Sequence, residues 1–344
     1  MKALVYHGPE DMRIEDRDLP EPAAGEAVLR VGACGICGTD LRILAGSHRA
    51  YQDGVQRVPG HEVAGTIGAA GTGAGVQVGQ TVFVAPNIGC MACPQCLGGR
   101  VNLCRHPRAI GITEDGAMAE FVVLPRELID QGNVLPVDDP IDMAALALVE
   151  PLACVLRGSR AVAIEPGDLV LLYGAGPIGL LHLQVARLRS PSAIVVCEPS
   201  ADRREQATVW GADYTTDPAG VEGLIEEVSD GQGADATIVA APAAAAQEQA
   251  IQLGAIGGRI NFFAGLPSGR SRAEIDSNLI HYRELIVTGT TANSTEDCRE
   301  ALDLVTSGAI DTARLISQRR PLNECVEAFA AARSGQNLKV VFEP

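Results

Sequence analysis

Four cysteines within one short stretch constrain this chain more than any other feature of its sequence. They are Cys90, Cys93, Cys96 and Cys104, in the run GCMACPQCLGGRVNLC. Two C-x-x-C steps and a nearby fourth thiolate can surround one tetrahedral Zn²⁺ with sulfur, which leaves no coordination position open. The alternative, a disulfide framework or unrelated buried thiols, fits this spacing less well. The sequence therefore predicts a structural zinc in a lobe at about 89–105.

The length and charge of the chain limit its fold and its partners. A chain of 344 residues suggests two domains of ordinary size. With 27 Lys plus Arg against 43 Asp plus Glu, the net charge of −16 opposes nucleic acid and anionic membranes. No apolar stretch reaches the roughly 18 residues of a membrane span. We expect no nucleic-acid partner and no membrane association.

The cysteine content indicates a reducing compartment. The N-terminus MKALVYHGPEDM lacks an apolar leader segment, so ten cysteines point to metal and reduced thiols in the cytoplasm. Outside the four-cysteine lobe and Cys37, we expect the remaining cysteines to be small buried hydrophobes. These are Cys34, Cys154, Cys197, Cys298 and Cys325.

The pattern of strand-like and helix-like runs changes along the chain. Residues 1–145 contain short β-prone runs such as EAVLRV, TVFVA and AEFVVL, typical of a β-rich domain. In 146–287, strand-like runs such as DLVLLY and AIVVCE alternate with helical stretches, which predicts an α/β domain with a doubly wound parallel sheet. Residues 288–344 contain an amphipathic stretch and the closing run LKVVFEP, and we expect them to return to the first domain.

A glycine-rich turn within the α/β segment predicts a dinucleotide site. Gly174, Gly176 and Gly179 follow the strand-like run LVLLY, and Pro177 and Ile178 open a helix. The first glycine permits the tight turn, the second lets the backbone approach a pyrophosphate, and the third lets the helix pack on the strand. The helix N-terminus then offers amides to the anion.

The end of the next strand favours NAD over NADP. Glu198 follows AIVVC about 20 residues after the glycine-rich turn, where a carboxylate can accept hydrogen bonds from the adenosine ribose. That carboxylate would also repel a 2′-phosphate. Arg203 and Arg204 lie a few residues on and could soften this preference.

A second group of candidate metal ligands lies outside the four-cysteine lobe. Cys37 stands in GICGTD, His61 and Glu62 in VPGHEVAG, and Glu150 in VEPLAC. A thiolate, an imidazole and a carboxylate can hold Zn²⁺ and leave a position for water or substrate, as in a catalytic site. Taken one at a time, each of these residues also has an ordinary structural explanation.

Taken together and in order, these motifs resemble those of the zinc-dependent medium-chain dehydrogenases, closest to the polyol (sorbitol or iditol) and threonine dehydrogenase branch. The resembling motifs cover nearly the whole chain: GICGTD, GHExxG, the four-cysteine lobe, VEPL and the Gly174 turn. The resemblance implies a GroES-like β-rich catalytic domain, a Rossmann domain and an active site in the cleft between them. It also implies two zinc ions per chain, one catalytic and one structural, and a homodimer or homotetramer.

The resemblance further assigns roles to individual residues. It implies a catalytic zinc held by Cys37, His61 and one or both of Glu62 and Glu150. Zinc would stabilise the alcohol as its alkoxide and so prepare the carbon to give hydride to NAD⁺. Thr39 matches the hydroxyl that accepts the substrate proton, and Asp40 the carboxylate that orients His61.

Two departures from the family pattern bear on proton transfer and on substrate. Arg42 stands where relatives commonly carry a proton-relay histidine, and arginine stays protonated. We expect ribose hydroxyls and water, or His48 from the nearby loop, to complete the relay. Ala292 and Asn293 fall where sorbitol dehydrogenases place an Arg-Tyr pair. Asn293 and Thr291 could bind a polar substrate or could be ordinary loop residues.

These features favour NAD-dependent, zinc-requiring oxidation of a secondary alcohol on a polyol, sugar alcohol or cyclitol. The enzymatic alternatives are an L-threonine 3-dehydrogenase and an aminocyclitol dehydrogenase resembling the 2-deoxy-scyllo-inosamine enzymes. From another class, the alternative is a noncatalytic zinc-stabilised NAD-binding protein, which should have lost the catalytic ligands.

Overall fold

Two stretches that lie far apart in sequence form one structural unit. The computed structural model describes residues 1–52, 54–138, 140–267 and 269–344. The first unit combines Met1–Ala153 with Asn293–Pro344, and the second is Cys154–Ala292. The sequence-based boundaries, after residues 145 and 287, precede these by a few residues.

The first unit is built on a seven-stranded sheet. Its strand order is β16-β17-β3-β4-β5-β9, and β8 pairs with β3. Two small antiparallel pairs, β1 with β2 and β6 with β7, complete the β structure. The strands are β1 Lys2–Gly8, β2 Asp11–Asp16, β3 Ala27–Gly35, β4 Glu62–Ala70, β5 Thr81–Val84, β6 Asn87–Ile88, β7 Arg108–Ala109, β8 Phe121–Leu124, β9 Val134–Pro136, β16 Ile316–Arg320 and β17 Lys339–Phe342.

The helices in the N-terminal part of the first unit are short. The helices of this unit are α1 Gly38–Leu44, α2 Pro94–Leu97, α3 Arg126–Asp130, α4 Met143–Ala147, α11 Thr295–Thr306 and α12 Cys325–Arg333. Helix α5, Val149–Val162, begins in the first unit and ends in the second. α11 begins at a capping box in which the Ser294 hydroxyl accepts from the Asp297 amide and Asp297 accepts from the Ser294 amide.

Apolar residues from several strands of the first unit pack into its main core. The runs EAVLRV, TVFVA and AEFVVL are the strands β3, β5 and β8, as their β-prone composition predicts. Their buried side chains pack with those of the N-terminal strand β1 and the C-terminal strand β17, including Leu4, Leu29, Val84, Leu124 and Phe342. The C-terminal strand is therefore part of the core that supports the site below.

The second unit is the doubly wound sheet that the sequence predicts. Its strands are β10 Leu169–Tyr173, β11 Ala193–Cys197, β12 Tyr214–Thr216, β13 Ala234–Val239, β14 Gly254–Phe262 and β15 Ile286–Gly289. All pair in parallel in the order β12-β11-β10-β13-β14-β15. By order of occurrence this is 3-2-1-4-5-6, the arrangement of dinucleotide-binding folds.

Helices alternate with the strands of this sheet. They are α6 Pro177–Arg187, α7 Ala201–Val209, α8 Val221–Val228, α9 Ala244–Gln252 and α10 Ser277–Tyr282. α6 begins at Pro177, directly after the glycine-rich turn, and proline suits a first helical position because its fixed φ matches the helix. No helix in the described part of the chain is long and apolar enough for a membrane crossing.

The structure corrects one expectation about the cysteines. Cys34, Cys197, Cys298 and Cys325 are buried as expected, but Cys154 is only partly buried. The preference of cysteine for the interior does not decide which face of α5 a given position occupies.

The glycine-rich turn yields a prediction about packing. A Cβ on Gly179 would lie 1.9 Å from the Gly174 carbonyl oxygen, whereas a Cβ on Gly176 would meet nothing closer than 4.0 Å. We expect Gly179→Ala to lower the free energy of unfolding by about 1–3 kcal/mol through overpacking. Gly176→Ala is the matched control, and urea unfolding without cofactor should show little change for it. Equal losses in the two variants would contradict this account of the turn.

Candidate metal centres and cofactor turn

The four lobe cysteines converge on one point. The four Sγ atoms all lie within 4.8 Å of one another. The Cys90 amide donates to Cys104 Sγ at 3.2 Å, the Cys93 amide to Cys90 Sγ at 3.4 Å, and the His106 amide to Cys104 Sγ at 3.3 Å. Amide donors favour thiolates, and those of Cys96 and Arg105 lower the pKa of Cys93. The donor set fits a closed tetrahedral zinc site.

Strand pairing brings the second group of candidate ligands together. β3 and β4 are antiparallel, and Gly35 at the end of β3 pairs with Glu62 at the start of β4. Cys37 follows β3, and His61 precedes β4. As a result, Cys37, His61 and Glu62 each offer a donor atom within 4.8 Å of the other two.

A glycine makes room for the carboxylate in this group. A Cβ at position 35 would lie 2.1 Å from Glu62 Oε2, far inside van der Waals contact. Because real Cβ atoms do not approach so closely, any other residue at this position would push the carboxylate away. Gly35 in the GICGTD motif is therefore part of the geometry that places Glu62 beside Cys37.

The Asp40 carboxylate lies close to the His61 ring. Asp40 is fully buried, and its Oδ2 accepts the Cys37 amide at 2.8 Å, which fixes the N-terminus of α1. Its Oδ1 lies 3.8 Å from His61 Nδ1, beyond hydrogen-bonding distance, and neither atom has a hydrogen-bond partner among the described residues. Burial raises the pKa of Asp40. For His61, burial acts in the opposite direction, but Asp40 and Cys37 together raise its pKa well above its usual value.

The donor group fits a bound zinc ion. A metal-ligating histidine ordinarily directs its other ring nitrogen toward a carboxylate, and Asp40 stands in that position for His61. Thiolate, imidazole and carboxylate are all ligands that zinc accepts. Three protein ligands leave one position open, as catalytic zinc sites require.

Glu62 has a partner that sequence reasoning did not find. Lys339 Nζ lies 2.5 Å from Glu62 Oε1 and 2.6 Å from Oε2, and it also donates to the Ile36 carbonyl at 3.2 Å. Glu62 is 0% exposed and Lys339 is 4% exposed. Burial by itself would lower the pKa of Lys339, but the charges of Glu62 and Cys37 raise it.

Glu150 is not one of the three donors within 4.8 Å, and the Asn293 side-chain amide holds its carboxylate. Asn293 Nδ2 donates to Glu150 Oε1 at 2.6 Å and to the Glu150 carbonyl at 3.2 Å. Asn87 Nδ2 in turn donates to Asn293 Oδ1 at 2.9 Å and to its carbonyl at 3.1 Å. Burial raises the pKa of Glu150. Among the described residues, the donor group within 4.8 Å contains Glu62 and not Glu150.

These contacts overturn a role considered for Asn293. The sequence suggested that Asn293 could hydrogen-bond a polar substrate, but its side chain is 0% exposed and its amide is committed to Glu150. An amide that already pairs with a buried carboxylate serves the protein interior. Thr291 is exposed and its role stays a prediction.

Thr39, Arg42 and His48 are close in sequence, but their side chains make different hydrogen bonds. Arg42 Nη2 donates to Thr39 Oγ1 at 3.0 Å. His48 Nδ1 accepts the Ala50 amide at 3.3 Å, so its neutral form carries the proton on Nε2. Burial, with the charges of Arg42 and Arg49, lowers the pKa of His48.

The glycine-rich turn joins β10 to the N-terminus of α6, as the prediction of a phosphate site requires. Gly174 adopts φ +102°, which favours glycine. Glu198 follows β11, accepts the Ala175 amide at 2.9 Å and the Ser200 amide at 3.0 Å, and so ties the strand end to the turn. Arg204 donates to the Glu198 carbonyl at 2.7 Å and is committed to the backbone. Arg203 Nη1 lies 4.0 Å from the position of a Cβ on Gly176.

Sequence reasoning missed Lys339 and Asn87. Lys339 lies 277 residues from Glu62 along the chain, and Asn87 lies 206 residues from Asn293. The available signal was a charged residue within the apolar closing run LKVVFEP, since lysine is rarely buried unless it is paired.

The lobe yields a prediction about metal content. We expect Cys96→Ser to lose one equivalent of zinc per chain because the closed site then lacks one of its four thiolates. Cys325→Ser is the matched control, since Cys325 is also buried but lies outside both donor groups. Elemental analysis of purified protein measures both. Retention of the full zinc content by Cys96→Ser would contradict the assignment.

Comparisons with known proteins agree with this geometry. Residues 23–134 match the model of the alcohol dehydrogenase GroES-like domain, and residues 177–307 match that of the zinc-binding dehydrogenases. The chain is 34% identical over 350 residues to an L-threonine 3-dehydrogenase of Pyrococcus abyssi, covering 99% of this chain and 97% of that protein. It is 30% identical over 356 residues to a sorbitol dehydrogenase of Halalkalibacterium halodurans, covering 100% and 99%.

Solved structures are similar over the whole chain. A zinc-binding dehydrogenase of Sinorhizobium meliloti 1021, bound to NADP, superposes with a TM-score of 0.90 at 34% identity and covers 100% of this chain and 99% of its own. The alcohol dehydrogenase rspB of Escherichia coli CFT073, in complex with NADH, gives a TM-score of 0.90 at 27% identity with the same coverage.

The matches confirm the GroES-like and Rossmann folds and the prediction that zinc and a nicotinamide dinucleotide are the cofactors. They also confirm that the chain is an enzyme that acts on a small-molecule alcohol. This chain belongs to the zinc-dependent medium-chain dehydrogenases, in the branch of the polyol and threonine dehydrogenases.

Proposed function

We propose that the protein oxidises a secondary alcohol of a polyol, sugar alcohol or cyclitol, with transfer of hydride to NAD⁺. The observation that carries this proposal is the donor group of partly buried Cys37 and buried His61 and Glu62, whose ligand atoms lie within 4.8 Å of one another. Thr39 lies two residues after Cys37, on α1. A three-ligand metal site beside a hydroxyl is the arrangement that alcohol oxidation needs.

Zinc bound at this site would act as a Lewis acid toward the alcohol oxygen and lower the pKa of the alcohol. Cys37, His61 and Glu62 would hold it, and Asp40 would orient the His61 ring. Glu150 would supply a further carboxylate beside the site, held in place by Asn293. The 4.8 Å donor group supports Glu62 rather than Glu150 as the third ligand.

Thr39 would take up the alcohol proton. A threonine hydroxyl has two acceptor positions and one donor hydrogen. Arg42 occupies one acceptor position of Thr39 at 3.0 Å, which leaves the other for the alcohol and the hydrogen for onward transfer. Because the guanidinium stays charged, Arg42 orients this hydroxyl and does not itself relay the proton.

The proton would continue to ribose hydroxyls and water rather than to His48. In its neutral form, the His48 imidazole carries its proton on Nε2, because Nδ1 accepts the Ala50 amide. It would have to break that bond and change tautomer before it could accept a proton at Nε2. An unchanged pH–rate profile in His48→Ala agrees with this route, whereas a shifted profile would restore His48 to the relay.

Glu198 supports the choice of NAD. Glu198 directly follows β11 and is 5% exposed, and its carboxylate accepts the Ala175 amide of the glycine-rich turn. A carboxylate oxygen has two acceptor positions, so Glu198 can bind the backbone amides and still accept ribose hydroxyls. Its charge disfavours a 2′-phosphate. Arg203, near Gly176, would meet the pyrophosphate.

Replacement of Glu198 tests this preference. We expect Glu198→Gln to raise KM for NAD⁺ about tenfold, the effect of losing roughly 1.4 kcal/mol of binding, and to improve the relative use of NADP⁺. Glu205→Gln is the matched control, because Glu205 is exposed on α7. Steady-state kinetics with both dinucleotides measures the effect. An unchanged NAD⁺ to NADP⁺ ratio in Glu198→Gln would contradict the assignment.

A substrate panel tests the function. We expect NADH formation with at least one polyol or cyclitol, and loss of turnover after a chelator removes the more labile zinc. L-Threonine belongs in the panel because a relative named L-threonine 3-dehydrogenase is 34% identical to this chain. Aminocyclitols test the third alternative. Turnover on L-threonine alone would replace the polyol proposal.

The same panel addresses the noncatalytic alternative. Absence of turnover on every compound, with two zinc ions per chain and tight NAD⁺ binding, would favour a noncatalytic NAD-binding protein. The donor group of Cys37, His61 and Glu62, with Thr39 two residues after Cys37 on α1, supports the enzyme.

We also propose a homodimer or homotetramer in the cytoplasm. The support is that β15 forms an edge of the parallel sheet. Ile286 on this strand is 55% exposed and the preceding Tyr282 is 77% exposed. Tyr282 ends helix α10, so Ile286 is the exposed apolar side chain on the edge strand itself. An exposed apolar side chain on an edge strand is typical of a surface that pairs with another copy.

A further inference from the structure

Lysine is used very sparingly in this chain. Of its 27 basic residues only two, Lys2 and Lys339, are lysine, and the rest are arginine. Lys2 is exposed and pairs with exposed Asp16 at 2.7 Å. Lys339 is the opposite case, with 4% of its surface exposed. Nearly all basic residues of this chain are arginine, yet the buried position 339 is a lysine.

Burial of the Lys339 ammonium in β17 is energetically unfavourable unless other groups compensate its charge. Lys339 opens β17, in which all four residues are buried. Removing an ammonium from water is strongly unfavourable unless a charged partner and further hydrogen bonds compensate, and an apolar residue there would suit the strand better. The compensation consists of both oxygens of Glu62 and the Ile36 carbonyl.

The geometry around Glu62 explains why an ammonium suits the position. Glu62 lies against Gly35, whose missing side chain leaves room for Oε2. An ammonium is a compact point charge that can bond both oxygens and a carbonyl at once, whereas a guanidinium is a larger planar group. The pair therefore fixes the rotamer of the carboxylate next to Cys37 and His61.

We propose that Lys339 is a positioning residue for the metal site: it anchors the Glu62 carboxylate so that Glu62 can serve as the third ligand. This inference rests on the proposed function of the Cys37, His61 and Glu62 group. Lys339 acts through Glu62 and not on the substrate. The last strand of the chain thus supplies a support for the metal site formed by the N-terminal part.

Metal affinity distinguishes anchoring from simple charge balance. If Lys339 only balanced charge, its removal would leave the site more negative and Co²⁺ would bind more tightly. If Lys339 anchors Glu62, its removal lets the carboxylate leave its position, and affinity falls by about 10–100-fold, as for other residues that support metal ligands. The two accounts predict opposite signs.

The experiment uses the full-length protein with Co²⁺ in the exchangeable site. Chelator competition gives the affinity, and the visible absorption of Co²⁺ reports the ligand geometry. For Lys339→Met we expect weaker binding by about 10–100-fold and an altered spectrum, with the lobe metal retained. Lys2→Met carries the same substitution at the exposed lysine and should match the wild type. Unchanged or tighter Co²⁺ binding in Lys339→Met overturns the proposal.

A second pair of variants covers failure of Lys339→Met to fold. The double variant Glu62→Gln/Lys339→Met contains neither buried charge, and Glu62→Gln keeps an amide oxygen as an acceptor for Lys339. If Lys339 acts through Glu62, the double variant binds Co²⁺ as Glu62→Gln does. A further tenfold loss in the double variant also overturns the proposal.

The same variants separate this inference from the function on which it rests. Unchanged Co²⁺ affinity in Glu62→Gln would mean that Glu62 is not a ligand, so the proposed metal site itself would fail. Weaker binding in Glu62→Gln together with normal binding in Lys339→Met would remove only the role of Lys339.

Discussion

The pairing of β3 with β4 is the constraint on which the candidate active site depends. Its register sets Gly35 opposite Glu62, and so places Cys37, just after one strand, beside His61 and Glu62 at the start of the other. The arrangement concentrates charge in the protein interior, where an unpaired charge is strongly unfavourable. The surroundings supply partners accordingly, with Lys339 for Glu62 and Asn293 for Glu150.

The features that the sequence predicts well are those encoded locally. The four lobe cysteines lie within 15 positions of one another, and the glycine-rich turn directly joins a strand to a helix, so spacing alone determines their chemistry. The alternating pattern of apolar runs likewise predicts the parallel sheet. The candidate catalytic ligands are more scattered, and only the resemblance to a family connects Cys37 with His61, Glu62 and Glu150.

The groups that support the ligands could not be predicted in the same way. Lys339 and Asn293 reach their carboxylates across 277 and 143 positions of the chain, and no local pattern reports such contacts. For this reason, the sequence alone allows a substrate-binding role for Asn293, whereas in the structure its amide binds Glu150. Arg42 shows a related limit of sequence-based prediction. Its residue type indicates that it cannot relay a proton, but the hydrogen bond that it donates to Thr39 becomes visible only in the structure.

The most direct test of the metal sites is to locate zinc by anomalous X-ray scattering from crystals of the zinc-loaded protein. We expect two peaks per chain. One should lie among the four lobe sulfurs, and the other should lie within bonding distance of Cys37, His61 and Glu62. A single peak in the lobe, with no density among Cys37, His61 and Glu62, would contradict the central claim that this group is a catalytic metal site.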